Sequence, residues 1–217
     1  MGRSKYSEEE RERIIVAFIR ATREIVDLEG IENVSIRKVA ARTGFNSATM
    51  YLYFKDIDEL ITLACMSYLE NYCRTLAADL AQMETPLDTY IHTWKVFCQY
   101  AFAYPDVFYH LFYKVHSTPL EETVHRYYQI YPHQLENIGG TLYQMLYSGA
   151  LENRNRQVLL PLVEEGLIRA ENVDMINVMT VCYFCRLLEE KCAQAGALAS
   201  ERQTEQFLSA IYFLLHR

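Results

Sequence analysis

A short run of small and hydroxyl-bearing side chains has the composition of a surface that contacts DNA bases. The face that we expect to be exposed carries Ser47, Ala48, Thr49, Leu52 and Tyr53. Serine and threonine hydroxyls can bond several base edges, and a threonine methyl group or a leucine can touch the methyl group of thymine. Small residues at the front let the backbone approach closely. We therefore predict that this segment reads base pairs in a major groove.

Basic and phenolic side chains flank this segment. Tyr51 and Tyr53 can donate hydrogen bonds to phosphate oxygens, although both could instead only pack the small domain. Arg37 could reach a guanine edge, and Lys38 a phosphate. The residues expected at the DNA are Ser35, Arg37, Lys38, Asn46, Ser47, Ala48, Thr49, Tyr51, Leu52, Tyr53 and Lys55.

The surrounding sequence predicts two short helices joined by a tight turn. Ser35 is a good N-cap for the first helix, and Gly44 can end it because glycine tolerates a left-handed conformation. Asn46 or Ser47 can cap a second helix that runs to about Phe54. Two helices joined by a glycine-containing turn form the helix-turn-helix, whose second helix enters the major groove of DNA.

The rest of the chain also has helical periodicity. Ser7 and Glu10 predict a capping box for a first helix, which packs through an apolar face from Ile14 to Leu28. A helix is expected to open at Asp56 and to run to about position 83. Further helices are predicted over 87–103, 104–116, 153–165, 172–195 and 200–216, with one bent helix or two helices between 119 and 149. The predicted fold class is all-α.

The run from Val34 to Leu60 resembles the DNA-binding domain of the TetR family of transcriptional repressors. The residues that carry the resemblance are Ser35, Arg37, Val39, Ala40, Gly44, Thr49, Tyr51, Tyr53, Phe54, Glu59 and Leu60. The family usually has a lysine where Ile57 stands, and Lys55 lies near enough to replace its phosphate contact. The resemblance implies a three-helix helix-turn-helix domain over 1–60 and a larger helical effector-binding and dimerisation domain over 61–217.

The charge of the chain is unevenly distributed. Up to Leu60 there are ten basic and eleven acidic residues, so this part carries about −1 of the net charge of −7. A balance this weak argues against a general nucleic-acid coat protein. Affinity for DNA would then rest on individually placed contacts made at two sites. The sequence shows no signal peptide and no membrane span, so we expect a cytoplasmic protein.

The second domain is rich in aromatic residues, and the chain contains 17 tyrosines. Because buried hydroxyls need partners, a cluster of this kind can line a small-molecule pocket as well as a plain core. The resemblance implies an effector cavity in this domain. Its expected lining residues are Tyr68, Trp94, Phe97, Cys98, Phe112 and Tyr147. Few basic residues are found here, which favours an uncharged or weakly polar apolar or aromatic ligand.

The last two predicted helices carry apolar stripes that could form a two-fold interface of four helices. The residues expected in this interface are Ile176, Thr180, Phe184, Leu187, Phe207, Ile211 and Leu214. A homodimer is expected because one short recognition helix reads too few base pairs for specificity.

The sequence gives little support for catalysis, redox chemistry or metal binding. Cys182 and Cys185 form a CxxC pair, but the surrounding run is apolar and helical, so core thiols are expected rather than a redox or metal site. No catalytic, metal-binding or phosphate-binding motif is recognisable, so we expect neither an enzyme nor a cofactor. The predicted function is a DNA-binding regulator, a repressor released from a palindromic operator by a small ligand. The alternative is a helical ligand-binding or protein-binding module that no longer reads DNA.

Overall fold

The computed structural model describes residues 7–80, 82–116, 118–132, 148–193 and 200–215, and these ranges contain helices and no strand. The α-helices are α1 (Glu8–Glu29), α2 (Ile36–Thr43), α3 (Ser47–Met50), α4 (Ile57–Leu80), α5 (Pro86–Ala103), α6 (Pro105–Tyr113), α7 (Leu120–Ile130), α8 (Leu151–Glu164), α9 (Val173–Ala193) and α10 (Ser200–Leu214). Short 3-10 helices cover Ile31–Asn33 and Ala170–Asn172. The predicted all-α fold is confirmed. Within the described ranges, no helix is both long and apolar enough to cross a membrane.

Helix α1 begins at the predicted capping box. The Ser7 hydroxyl accepts from the Glu10 N–H at 3.2 Å, and the Glu10 carboxylate accepts from the Ser7 N–H at 2.7 Å. Gly30 ends the helix with a φ of 91°, which favours glycine. Phe18 is fully buried, but Leu28 is 73% exposed, so its predicted packing was wrong. Leu28 lies in the last turn, at the edge of the apolar face.

The helix-turn-helix forms through the predicted caps. The Ser35 hydroxyl accepts from the backbone of α2 at 3.4 Å, and Gly44 adopts the left-handed conformation with a φ of 74°. The Asn46 side chain caps α3, which ends at Met50 rather than at the predicted Phe54. Residues 51–53 form turns, because backbone N–H groups there bond to carbonyls three residues earlier.

Helix α4 begins at Ile57, and side chains on both sides of this residue cap the start of the helix. The Asp56 carboxylate accepts from the Glu59 N–H at 2.9 Å, and the Glu59 carboxylate accepts from the Lys55 N–H at 2.6 Å. These two bonds satisfy backbone donors that have no partner within the helix. The helix ends at Leu80, three residues earlier than predicted.

The later helices begin near the predicted positions and several of them end earlier. Thr85 caps α5 and Pro86 is its first residue, one position before the predicted start at 87. Helix α6 ends at Tyr113 rather than at position 116, and α8 ends just before Gly166, which has a φ of 70°. The predicted helix between 119 and 149 is described only as α7, since 133–147 lie outside the described residues. Positions 194–199 and 216–217 also lie outside them.

The chain divides into two compact units. One consists of Met1–Ser67 with Val115–Gln134, and the other of Tyr68–Lys114 with Leu135–Arg217. The first unit has a small core that includes Phe18, Met50 and Phe54, in which the Phe18 and Phe54 rings lie 6.0 Å apart. The second unit has a larger aromatic core, whose fully buried members are Tyr90, Phe102, Phe108, Phe184 and Phe207.

Candidate nucleic-acid interface and ligand cavity

Most of the residues expected at the DNA lie on the surface of the first unit. Exposed positions are Ser35, Arg37, Lys38, Asn46, Ala48, Tyr51, Leu52 and Lys55, whereas Ser47 and Tyr53 are half-buried. Tyr51 is 56% exposed and Leu52 71% exposed, and neither contributes to the core. Large apolar groups at such positions are what a surface that meets base edges and sugars needs.

Thr49 is not on this exposed face, which corrects the prediction from sequence. Its side chain is buried, and its hydroxyl lies 3.1 Å from the Asn46 carboxamide oxygen, which also accepts from the Thr49 N–H at 3.0 Å. Thr49 therefore belongs to the cap of α3. The sequence did not show which side of α3 packs on the core, and the structure places Thr49 and Met50 on the buried side.

The carboxylate of Glu29 forms ion pairs with two of the basic side chains beside this surface. Glu29 bonds to Lys38 Nζ at 2.7 Å and to Arg42 Nη2 at 2.9 Å. The hydrogen bond from Lys38, followed by that from Arg42, lowers the pKa of Glu29. Lys38, expected to contact a phosphate, is thus paired within the unit. No sequence pattern indicated this pairing, since nine and thirteen residues separate the partners from Glu29.

Arg126 of α7 holds the segment that follows α3. Its guanidinium donates to the Tyr53 carbonyl and to the Glu59 carboxylate, and it lies 5.1 Å from the centre of the Phe54 ring. Glu59 is buried and also accepts from the Lys55 N–H. The exposed turn that carries Tyr51 and Leu52 is therefore anchored at its end by a residue that sequence reasoning missed, because the partners lie far apart in the chain.

A second contact attaches the segment 115–132 to the beginning of α4. His116 Nδ1 lies 3.0 Å from the Asp58 carboxylate and 3.4 Å from the Thr62 hydroxyl. The contacts of Arg126 and His116 explain why residues 115–132 pack with the helix-turn-helix.

The second unit encloses a small apolar cavity between α4, α5 and α8. Its lining residues are Tyr72, Thr93, Trp94, Phe97, Leu151, Arg154, Asn155 and Val158. The cavity volume is about 20 Å³, room for about one water molecule. Of the predicted pocket residues, Trp94 and Phe97 line it, whereas Tyr68, Cys98 and Phe112 do not. Tyr147 lies outside the described residues.

A chain of buried hydrogen bonds fixes one wall of this cavity. Trp94 Nε1 donates to Asn155 Oδ1 at 2.8 Å, and Asn155 Nδ2 donates to Asn177 Oδ1 at 2.8 Å. Asn177 in turn donates to the Glu152 carbonyl at 3.1 Å. The sequence analysis overlooked Asn155 and Arg154 because isolated polar residues in a helix usually face water.

A larger cavity adjoins the first one. It has a volume of about 280 Å³ and shares Thr93 and Val158 with the smaller cavity. Its remaining lining residues are Leu76, Leu80, Met83, Glu84, Thr85, Pro86, Thr89, Gln157 and Pro161. Together the two cavities approach the lower end of the range for small-molecule sites, about 300 Å³.

The described cysteines form no disulfide, and three of them, Cys65, Cys73 and Cys98, are buried. The expectation of core thiols at the CxxC pair was wrong, because Cys182 is exposed and Cys185 is half-buried. Burial raises the pKa of Cys98, and it raises the pKa of Cys73 to about 12. Within the CxxC pair, burial followed by the charge of Glu189 raises the pKa of Cys185. Thiols in such surroundings stay protonated, and the protonated form is neither a nucleophile nor a metal ligand.

The stripes predicted as a dimer interface lie inside the second unit. Ile176, Thr180, Phe184, Leu187, Phe207 and Ile211 are buried, and Leu214 is half-buried. The prediction from sequence was wrong for the buried residues because periodicity locates an apolar stripe without saying which neighbour covers it. Here α9 and α10 bury these stripes within their own unit, where the Phe184 and Phe207 rings lie 5.7 Å apart.

The opposite faces of α9 and α10 expose large apolar side chains. Met175, Val178 and Met179 of α9 are 65%, 52% and 46% exposed, and Tyr212 and Phe213 of α10 are 40% and 78% exposed. The Gln203 amide donates to the Leu187 carbonyl, and the Gln206 amide donates to the Tyr183 hydroxyl, so the two helices run antiparallel. This register places Phe213 level with Val178. We call these five residues the α9–α10 apolar face.

Three comparisons with known proteins bear on this architecture. Residues 18–63 match the family model of bacterial regulatory proteins, tetR family. No curated protein matched the sequence. Solved structures with a similar fold include RolR bound to resorcinol, at 15% identity and a TM-score of 0.63, covering 97% of this chain and 89% of RolR.

Two further structures share the fold. Thermus thermophilus FadR, a TetR-family repressor in complex with lauroyl-CoA, has 14% identity and a TM-score of 0.61, with 91% of this chain and 92% of FadR covered. A TetR-family regulator from Mesorhizobium loti has 12% identity and a TM-score of 0.56, with 97% and 98% covered. The family-model match identifies residues 18–63 as a TetR-family DNA-binding domain, and the solved structures share the helical fold of the chain.

Proposed function

We propose that this protein is a repressor that binds a near-palindromic operator as a homodimer and leaves it when a small ligand fills the second unit. The observation that carries this proposal is the capped helix-turn-helix, whose exposed turn presents Tyr51 and Leu52 and is anchored by Arg126. A rigid, exposed element of this kind is suited to a major groove.

The DNA contacts are proposed from the exposed residues of α2, α3 and the following turn. Ser47 and Ala48 at the start of α3 would meet base edges, with Leu52 against thymine methyl groups. Arg37 would reach a guanine edge. Tyr51 would donate its hydroxyl to a phosphate oxygen, and Lys55 would contact another phosphate. Thr49 would act only by capping α3 through Asn46.

Dimerisation is proposed through the α9–α10 apolar face. An exposed cluster of large apolar residues on two antiparallel helices is typical of a protein interface. Pairing it with its two-fold copy would bury both clusters in a four-helix arrangement. Two copies would then place two recognition elements on half-sites of one operator.

Ligand control is proposed for the two cavities of the second unit. RolR with resorcinol and FadR with lauroyl-CoA share this fold and are both bound to small organic ligands. The cavity around Trp94 would have to open, because about 20 Å³ admits no more than a water molecule. A ligand must bind the released state more tightly than the DNA-bound state, and typical couplings are about 1–3 kcal/mol.

The experiment that tests DNA binding is a gel-retardation assay on the DNA upstream of the gene for this protein. We expect a specific complex that survives competition by unrelated DNA. Tyr51→Ala should weaken it by about tenfold without changing the melting temperature, since Tyr51 is exposed. Thr49→Ala is the matched control and should lower the melting temperature instead. Failure of the wild-type protein to bind this DNA specifically would count against the proposal.

One observation favours the alternative, a helical module that no longer reads DNA. Glu29 pairs with both Lys38 and Arg42, and up to Leu60 the chain has no excess of basic over acidic residues. The same assay decides between the two functions, because a module without DNA-reading ability would show no difference between upstream DNA and unrelated DNA.

A further inference from the structure

We propose that the ligand of the second unit is an amphiphilic cation, whose apolar body fills the larger cavity and whose positive charge lies beside the Glu84 carboxylate. This inference rests on the proposed ligand control and names the chemical class of the ligand. It departs from the uncharged ligand that the sequence indicated, because the sequence did not show that a carboxylate lines this cavity.

The larger cavity offers an apolar compartment of about 280 Å³. Leu76 and Leu80 of α4 form one of its walls, and Val158 and Pro161 of α8 form another. An alkyl or aryl group that leaves water for these walls loses apolar contact with the solvent, which favours binding. The size and composition of the cavity therefore suit the apolar body of a small organic molecule.

Glu84 is the only ionisable residue among the described residues that line this cavity. Its side chain is exposed, and its carboxylate forms no ion pair or hydrogen bond with the other described residues. We call the exposed side of the cavity at Glu84 its mouth. A carboxylate at the mouth attracts a cation and repels an anion. A charged group beside Glu84 also keeps part of its hydration, which lowers the cost of binding it.

The interior of the cavity has no charged partner for an ion. The Thr85 hydroxyl donates to the Asp88 carboxylate at 2.7 Å and accepts from the Asp88 N–H at 3.1 Å. The Thr93 hydroxyl donates to the Thr89 carbonyl at 2.7 Å. An ion that moved deep into the cavity would lose its hydration without gaining a counter-ion. The charge of the ligand is therefore expected at the mouth, with the apolar body inside.

The surface around the mouth carries further negative charge. A hollow of about 410 Å³ adjoins the cavity and shares Met83 and Glu84 with it. The other residues that line this hollow are Gln82, Asp88, Ile91, His92 and Lys95. His92 Nε2 lies 2.8 Å from the carboxylate of Asp79. Three carboxylates thus lie near one lysine and one histidine, so the charge around the mouth is negative whether or not His92 is protonated.

Two buried charges of opposite sign act near the smaller cavity. Burial raises the pKa of Cys73 to about 12, while the charge of Arg154 lowers this pKa and that of Glu70 raises it. Glu70 also forms an ion pair with Arg74. Arg154 and Glu70 oppose each other, and neither is among the described residues that line the larger cavity. The preference for the sign of the ligand charge is therefore assigned to Glu84 and its surroundings.

The test measures the binding of octylammonium and octanoate to the full-length protein by isothermal titration calorimetry in a buffer of low salt. The two probes share an alkyl chain and differ in the sign of their charge. We expect saturable binding, with octylammonium bound about tenfold more tightly than octanoate. This ratio should fall as salt is added, because Glu84 is exposed and its charge is screened.

Three variants separate the charge from the cavity. Glu84→Gln should bring the two affinities to within about threefold of each other, and Glu84→Lys should make octanoate the more tightly bound probe. Thr89→Phe places a ring in the apolar compartment, so it should weaken the binding of both probes by about tenfold.

A matched control removes the same charge elsewhere in the second unit. Glu205 is exposed on α10 and lines neither of the two cavities nor the hollow, so Glu205→Gln should keep the wild-type ratio of affinities. Circular dichroism and the melting temperature show whether each variant is folded. If Thr89→Phe does not fold, the two variants of the exposed Glu84 decide the matter.

Several outcomes would overturn the assignment: equal affinities of the two probes in the wild-type protein, a wild-type ratio in Glu84→Gln, an equal loss of the ratio in Glu205→Gln, or unchanged affinities in a folded Thr89→Phe. The result can be separated from the proposed function, because the calorimetric assay contains no DNA. Release of operator DNA by uncharged or anionic compounds alone would keep the function and refute the cationic ligand. Octylammonium bound at Glu84 without any effect on operator binding would support the site and refute ligand control.

Discussion

Replacing Arg126 by methionine should weaken both the fold of the first unit and its binding to DNA. The substitution keeps an apolar side chain near Phe54 but removes the donor to the Tyr53 carbonyl and the partner of Glu59. Glu59 has a side chain only 7% exposed, and that of Arg126 is 28% exposed. Breaking a fully buried ion pair by removing one partner costs about 3–5 kcal/mol.

The expected cost is lower than that range for two structural reasons. Arg126 is partly accessible to water, and Glu59 would keep its bond to the Lys55 N–H at 2.6 Å. We therefore expect the free energy of unfolding to fall by about 2–3 kcal/mol. The turn before Phe54 would lose its anchor, and operator affinity should fall by about tenfold, or ~1.4 kcal/mol.

The assays are urea unfolding at fixed protein concentration and operator binding at fixed salt. The double variant Arg126→Met with Glu59→Gln removes the stranded charge, so it should recover about 1 kcal/mol or more relative to the sum of the single changes. Arg169→Met, which removes an exposed ion pair with Glu171, is the control and should stay within about 0.5 kcal/mol of wild type. A stability of Arg126→Met within that same margin, or fully additive effects in the double variant, would refute the reasoning.

Three further predictions follow from the structure. Glu29→Gln should release Lys38 for a phosphate, whereas Arg42 keeps its pair with Glu24 at 3.6 Å, so nonspecific DNA affinity should rise and its salt dependence should steepen by about 1 in slope; an unchanged slope would contradict this. Val178→Asp with Phe213→Asp should give folded monomers by analytical ultracentrifugation, whereas Leu187→Asp should unfold the protein because Leu187 is buried; a persistent dimer would exclude the α9–α10 apolar face. Trp94→Phe should leave a buried amide oxygen without its donor and lower the free energy of unfolding by about 1–3 kcal/mol, measured by denaturant titration; an unchanged value would mean that the bond contributes nothing.

Local signals in the sequence determined where the helices of the DNA-binding domain begin. The caps at Ser7 and Ser35 and the left-handed turn at Gly44 were all predicted, because each depends only on residues within one turn of the chain. Helix ends were less predictable. Helix α3 ends at Met50 and α6 at Tyr113, since apolar periodicity continues through turns that also pack on the core.

Only the tertiary structure decided which face of a helix meets which neighbour. Periodicity located the stripes around Leu187 and Ile211, but both are buried within the second unit, and the exposed apolar face lies on the other side of the helices. In the same way, Arg126 reaches Glu59 and Tyr53 across 67 and 73 residues of sequence. Burial of Arg154 depends on four residues of α4 and α5 that share its cavity wall. Partners so distant in sequence are brought together only by the packing of whole helices. A pattern in the amino-acid sequence does not show which helices pack against each other.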